Sequence, residues 1–175
     1  MNQISPVILV VAFDGYQQIE YLDTKKAIEH AGITVKTAST TKGAAVAKDG
    51  STCQIDLKIE EIDPKTCSGV FLIGGPGTLD SLNTLKMHTI LQKVVAAEKP
   101  CGAICIATRI LAQAGLLAHK KATGWDGDLK LAALYQEHRS TYVKTPVVID
   151  GKIITAQGPD AAKDFGNGIV SILKK

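Results

Sequence analysis

Cys105 stands in the run Gly102-Ala103-Ile104-Cys105-Ile106-Ala107, with an alanine two places before it and another two places after. A nucleophile held on a sharp strand-to-helix turn needs small residues at those places, as in the G-x-S-x-G elbow. Such a turn sets the thiol at the N-terminus of the next helix, whose positive end favours thiolate. A buried, inert thiol is the competing reading, because free cysteines are among the most buried residues. Gly74-Gly75-Pro76-Gly77 offers a second feature. Its backbone N–H groups can point into a site and form an oxyanion hole, although a plain tight turn is the simpler reading. No Gly-Lys-Ser/Thr follows, and the spacing does not fit G-x-G-x-x-G. Glu20 falls in the first turn of a helix, after Asp14-Gly15-Tyr16-Gln17-Gln18. A carboxylate there complements the helix dipole whether or not it does chemistry.

The four cysteines are Cys53, Cys67, Cys101 and Cys105. Along one strand Cys101 and Cys105 lie ~13 Å apart at ~3.3 Å per residue, and a disulfide needs less than ~7 Å. No tight Cys-x-x-Cys pair and no histidine at ligand spacing supports a zinc site. None of His30, His88, His119 and His138 is adjacent to Cys105 in sequence. A Cys-His dyad is therefore not legible, and a spatial one stays open.

These residues need elements to position them. Val7–Phe13 reads as a continuous buried strand. A helix over Ile19–Ala31 ends at Gly32 in the C′ position, and Thr34–Ala38 is the next strand, completing a βαβ start. Asp49-Gly50 marks a hairpin within Ala44–Ile59. Val70–Ile73 is a core strand, and Met87, Ile90, Leu91, Val94 and Val95 recur at helical spacing. Cys101–Ile104 is a strand, with a helix over Ile106–Ala114 closed by Gly115. A polar helix is expected over Asp128–Gln136, and a hairpin turns at Asp150-Gly151. Ala162, Phe165, Ile169, Ile172 and Leu173 line a last helix, with Asp160 as its N-cap. The sum is a mostly parallel sheet with helices on both faces and a small antiparallel excursion. In such folds ligands sit outside the carboxyl ends of strands. The Gly74 cluster and Cys105 both fall there.

At 175 residues the chain fits one domain, 1–175. The net charge of +3 is spread over pairs such as Lys25-Lys26, which argues against a nucleic-acid surface. No run approaches the ~18 apolar residues of a membrane helix. Residues 1–6 lack a signal-peptide pattern, so a reducing cytoplasm with free thiols is expected.

The order of these motifs resembles the ThiJ/PfpI superfamily, which includes the Parkinson-associated protein deglycase and is class I glutamine amidotransferase-like. The resemblance runs through Val7–Phe13, Ile19-Glu20, Ala31-Gly32-Ile33-Thr34-Val35, Leu72-Ile73-Gly74-Gly75 and Ala103-Ile104-Cys105. It continues through Val148-Ile149-Asp150-Gly151 and Gln157-Gly158-Pro159 to Phe165. It implies a flavodoxin-like three-layer sandwich and a homodimer without cofactor or metal. It implies that Cys105 is the reactive cysteine and Glu20 the carboxyl group bonded to it. Gly74, Gly75 and the N–H of Ile106 would stabilise an anion. Two departures stand out. The protease-like branch carries His where this chain has Ile106, which argues against peptidase activity. The deglycase and glyoxalase branch often carries a His in the segment matching Ala122-Thr123-Gly124-Trp125, where Trp125 stands here. A tryptophan supplies apolar area but cannot shuttle protons. Trp125 and Arg109 are candidate pocket residues.

Three functions use the same residues. One is a cofactor-independent enzyme acting on small reactive carbonyls, of glyoxalase III or deglycase type, turning methylglyoxal into lactate. Another is a non-catalytic redox sensor or chaperone in which Cys105 oxidises. The last is a hydratase or other elbow-cysteine reaction. In each, Cys105 is expected to be the most acidic of the four thiols, with Glu20 keeping its proton because like charges resist sharing a site. On that basis Glu20→Gln preserves thiolate character and Glu20→Ala raises the thiol pKa.

Overall fold

Residues 5–175 are described by the structure, a computed structural model. In chain order the strands are β1 (Val7–Val10), β2 (Asp14–Tyr16), β3 (Val35–Ser39), β4 (Gly43–Ala47), β5 (Thr52–Ile55) and β6 (Leu57–Lys58). They continue as β7 (Gly69–Leu72), β8 (Cys101–Ile104), β9 (Lys121–Ala122), β10 (Thr141–Tyr142), β11 (Val147–Asp150) and β12 (Ile153–Ala156). The helices are α1 (Gln18–His30), α2 (Thr78–Leu82), α3 (Leu85–Ala96), α4 (Thr108–Gln113), α5 (Leu131–Glu137) and α6 (Ala162–Leu173).

Seven strands form the central sheet in the order β11-β12-β8-β7-β1-β3-β6. All neighbours run parallel except β11, which pairs antiparallel with β12. β1, β7, β8 and β12 are buried along their whole length. Strands covered on both faces need apolar residues at every position, and these runs supply them. Successive residues then face opposite layers. Ile8 and Val10 pack on one side with Met87, Leu91, Ile110 and Tyr135 of α3, α4 and α5. Val7 and Leu9 pack on the other with Tyr21, Ile28, Phe165 and Ile169 of α1 and α6. The expected mostly parallel three-layer sandwich is therefore present, and the Asp49-Gly50 hairpin joins β4 to β5 as the antiparallel excursion.

Several boundaries differ from expectation. β1 stops at Val10, and Val11 and Ala12 run on as buried loop toward β2. The helix expected over Ile106–Ala114 begins as a 3₁₀ turn, Cys105–Ala107, before α4. α5 starts three residues later than expected because Asp126 Oδ1 accepts from Leu131 N at 2.8 Å, and Asp128 Oδ1 from Lys130 N at 3.2 Å. These carboxylates hold the backbone in turns ahead of the helix. Asp160 is not the N-cap of α6; it lies in the turn Pro159–Ala161, and Ala161 caps the helix. α2 had no sequence signal. No helix among the described residues is long and apolar enough to cross a membrane.

Candidate active site

β8, β7 and β1 are neighbours, and their carboxyl ends open on the same edge. The chain leaving β1 passes through Asp14–Gln17 into α1. Gln17 caps that helix, its Oε1 accepting from Ile19 N at 3.2 Å. The cap places Glu20 in the first turn, fully buried. The chain leaving β7 turns through Gly74–Gly77 and clasps the first segment. Gln17 N donates to Gly74 O at 2.8 Å and Gly77 N to Gly15 O at 3.1 Å. Gly74 N donates to Glu20 Oε2 at 2.9 Å.

The clasp requires bare backbone. A Cβ on Gly77 would overlap the Asp14 carbonyl oxygen. Gly77→Ala is thus expected to lower stability by about 3 kcal/mol, the upper end of overpacking costs. Urea unfolding measures it, and a loss under ~0.5 kcal/mol, the scale of a neutral surface change, would show that the clasp yields. At Gly74 a Cβ would lie 2.6 Å from Cys105 Cβ, 3.1 Å from Cys105 Sγ and 2.7 Å from Glu20 Oε2. Thiol and carboxyl group therefore meet at one spot that only glycine leaves open.

Cys105 follows β8 directly, with φ +62°. That left-handed conformation is uncommon outside glycine and persists where surrounding structure enforces it. Thr108 Oγ1 donates to the Cys105 carbonyl at 3.0 Å, and Trp125 N donates to the same oxygen at 3.3 Å. The Ile106 N–H points at the sulfur. Ala103 and Ala107 are fully buried, as the elbow spacing demands.

Burial raises the Glu20 carboxyl to about 7, against the opposing pull of the Cys105 thiol and the Gly74 N–H. Its Oε1 is buried with no hydrogen-bond partner of its own among nitrogen and oxygen donors. Burial and then the Glu20 charge push the Cys105 thiol above its ordinary range, and the Ile106 N–H only partly offsets them. Burial raises Cys53, Cys67 and Cys101 as well, Cys101 to about 12. The expected acidity of Cys105 is therefore corrected for the resting site. A helix start lowers a thiol pKa only when its field outweighs desolvation and neighbouring negative charge; here a single 3₁₀ turn and a six-residue α4 do not. Below about pH 7 both groups hold their protons, and above it the negative charge rests on Glu20 rather than on the sulfur.

A cavity of about 420 Å³ opens over the pair. Glu20, Cys105, Gly75, Ile106 and Trp125 line it, as does Lys48. Gln17, Pro76 and Pro159 complete the wall. Two sequence candidates take other places. The Gly74 N–H is engaged by Glu20 and the Ile106 N–H by the Cys105 sulfur, while Gly75 and Ile106 both line the cavity. Arg109 does not line the cavity. It is buried behind Trp125, its guanidinium 5.5 Å from the indole centre. Asp128 draws it there through bonds of 2.6 and 3.0 Å. Arg109 thereby backs the Trp125 wall. Sequence reading did not find Lys48 or Gln17 as pocket residues; no motif marks either one. All four cysteines are free, and among the described residues no histidine lines the cavity.

A doubly wound parallel sheet with a cysteine elbow at its carboxyl edge defines a flavodoxin-like α/β protein. The sequence matches the DJ-1/PfpI family over residues 6–172, and the chain belongs to that family. Uncharacterized protein MJ0967 of Methanocaldococcus jannaschii is 30% identical over 175 residues, 97% of this chain and 82% of that one. Deglycase TK1284 of Thermococcus kodakarensis is 28% identical over 170 residues, 95% of this chain and 99% of its own. A ThiJ/PfpI domain protein from Brachyspira murdochii superposes with a TM-score of 0.92 at 27% identity, covering 99% of this chain and 98% of that one.

Proposed function

We propose that this protein is a cofactor-independent enzyme that acts on small reactive carbonyls through Cys105 and Glu20, converting methylglyoxal to lactate. The observation that carries this reading is the buried Glu20 carboxyl group, raised to about 7, set against the elbow thiol. A carboxyl titrating near neutrality is matched to moving protons in both directions. Glu20 takes the thiol proton as sulfur attacks the aldehyde carbon, and delivers it to the carbonyl oxygen. The Gly75 and Ile106 N–H groups face the oxygen while it is charged. In the resulting hemithioacetal Glu20 removes the proton from the former aldehyde carbon and returns it to the neighbouring ketone carbon, while the hydroxyl proton passes from the former aldehyde oxygen to the former ketone oxygen. The aldehyde carbon is oxidised and the ketone carbon reduced, leaving a thioester of lactate. Water cleaves it, releasing lactate and the free thiol. Relatives named deglycases support carbonyl chemistry at this site. Ile106 offers no imidazole to a leaving amine, which weighs against a peptidase.

Cys105 is partly exposed to solvent through the cavity, an observation that also favours a sensor in which peroxide makes a sulfinate held by Glu20. Lactate release by the wild-type protein tests the enzyme reading. No release, together with uptake of two oxygens at Cys105 under peroxide, establishes the sensor. The free cysteines fit a reducing compartment such as the cytoplasm.

The protein is further proposed to form a homodimer. Ile19 and Leu22, one turn apart on α1, remain exposed, as does Val46 on β4. Sedimentation at micromolar concentration is expected to give a dimer, and only monomer would refute it.

A further inference from the structure

Among the described residues Lys48 is the only lysine or arginine on the cavity wall. It precedes the Asp49-Gly50 turn, and its backbone N–H donates to Tyr16 O at 2.9 Å. This bond ties the hairpin to the segment that carries Glu20. The adjacent carboxylate is occupied elsewhere: Asp49 Oδ1 accepts from Ser51 N at 3.0 Å and Ser51 Oγ at 2.6 Å. Among the described residues the Lys48 ammonium makes no ion pair. A lysine in that position is normally a solvated surface charge. Here it stands at the rim of a cavity whose floor is a nucleophile and whose walls are otherwise largely apolar, with Ile106, Trp125, Pro76 and Pro159. Its charge is felt across the cavity by Glu20 and Cys105, but it makes no direct ion pair with either, and neutral methylglyoxal gives it nothing further to bind.

We propose that Lys48 selects anionic substrates, so that the carbonyl compound this site prefers is a 1,2-dicarbonyl bearing a carboxylate at the end remote from the aldehyde. This rests on the carbonyl chemistry above and adds no redox partner. Sulfur bonds to the aldehyde carbon and its proton passes to the aldehyde oxygen; the carbon-bound proton then moves to the ketone carbon and the hydroxyl proton to the former ketone oxygen, and water cleaves the thioester. The remote carboxylate is unchanged throughout. With 4,5-dioxopentanoate and water the product is 2-hydroxyglutarate; with the neutral 2-oxopentanal it is 2-hydroxypentanoate.

Two measurements separate this claim from the one beneath it. The first is the ratio of kcat/KM for 4,5-dioxopentanoate over 2-oxopentanal, in wild type, Lys48→Met and Lys48→Arg. The second needs no turnover: the ratio of alkylation rates of Cys105 by iodoacetate and by iodoacetamide in the same proteins, each normalised to glutathione and read by peptide mapping. A change in thiolate fraction cancels in that ratio, which isolates attraction of the anion. Lys48→Met is expected to lower both ratios about fivefold, the scale of one solvent-screened ion pair, and Lys48→Arg to keep them near wild type. If neither dicarbonyl is turned over by wild type, the carbonyl reading fails, and the alkylation ratio still decides whether Lys48 selects anions. An alkylation ratio unchanged in Lys48→Met, or equal losses with both reagents, overturns the proposal.

Discussion

Lactate release from methylglyoxal is expected to fall on the order of a thousandfold or more in Cys105→Ser. The replacement is close in size, and the bonds that hold the elbow go to the residue's carbonyl rather than to its sulfur. The backbone geometry should therefore persist, with stability within about 1 kcal/mol of wild type. What changes is the reacting atom. A hydroxyl is far less acidic than a thiol, and a carboxylate titrating near 7 cannot draw its proton to a useful extent. Activity is read as lactate formed, with circular dichroism to show that the fold is intact. A variant retaining more than about a tenth of wild-type turnover would remove Cys105 from the chemistry, because loss of a covalent nucleophile costs far more than that.

Between about pH 5 and pH 8 the wild-type protein should lose stability relative to Glu20→Gln. The folded carboxyl is raised from 4.5 to about 7 by burial. Between about pH 4.5 and pH 7 the folded state retains a proton that the unfolded chain has released. Its contribution is complete below pH 4.5 and is lost as the pH climbs through 7. The difference corresponds to about 3 kcal/mol. Glutamine does not titrate, so its slope is absent. Urea midpoints across the pH range measure the effect, and a difference below ~1 kcal/mol would mean that Glu20 is not held protonated. Turnover by wild type should rise through about pH 7 as Glu20 ionises and becomes a base. In Glu20→Gln that limb disappears along with most of the rate. Both Glu20→Gln and Glu20→Ala should lower the thiol pKa, as followed by iodoacetamide labelling against pH. This reverses the expectation from the helix start, under which Glu20→Ala raised it. The charge on Glu20 is one of the two main causes holding the thiol up, and either replacement removes it.

The elbow was legible because its requirement is local. Small residues at two fixed offsets from Cys105 are a sequence pattern, and the short strand before them is apolar throughout. The Asp49-Gly50 and Asp150-Gly151 hairpins were legible for the same reason: a turn states its own chemistry. Lys48 and Gln17 were hidden because the β4–β5 hairpin and the Asp14–Gln17 segment reach the cavity only by long-range packing. Arg109 is a pocket candidate in the sequence, which carries no sign of where its side chain goes. Only the fold shows that Asp128 pulls it behind the indole. The thiol's acidity differs from expectation because a helix start is visible in sequence, whereas the depth to which Cys105 and Glu20 are buried together is a property of three assembled strand ends.

The left-handed backbone at Cys105 sets stability against function at this one position. Glycine adopts φ +62° without the penalty that a side chain carries there, of order 1 kcal/mol. Selection for a sturdier fold alone would erode the cysteine, and Cys105→Gly is the natural end of that drift. The chain keeps a residue that its own backbone disfavours at the meeting point of three core strands, where relief would come with a single change. Engineering programmes that rank substitutions by folding energy would choose that change early and return a more robust, inert protein.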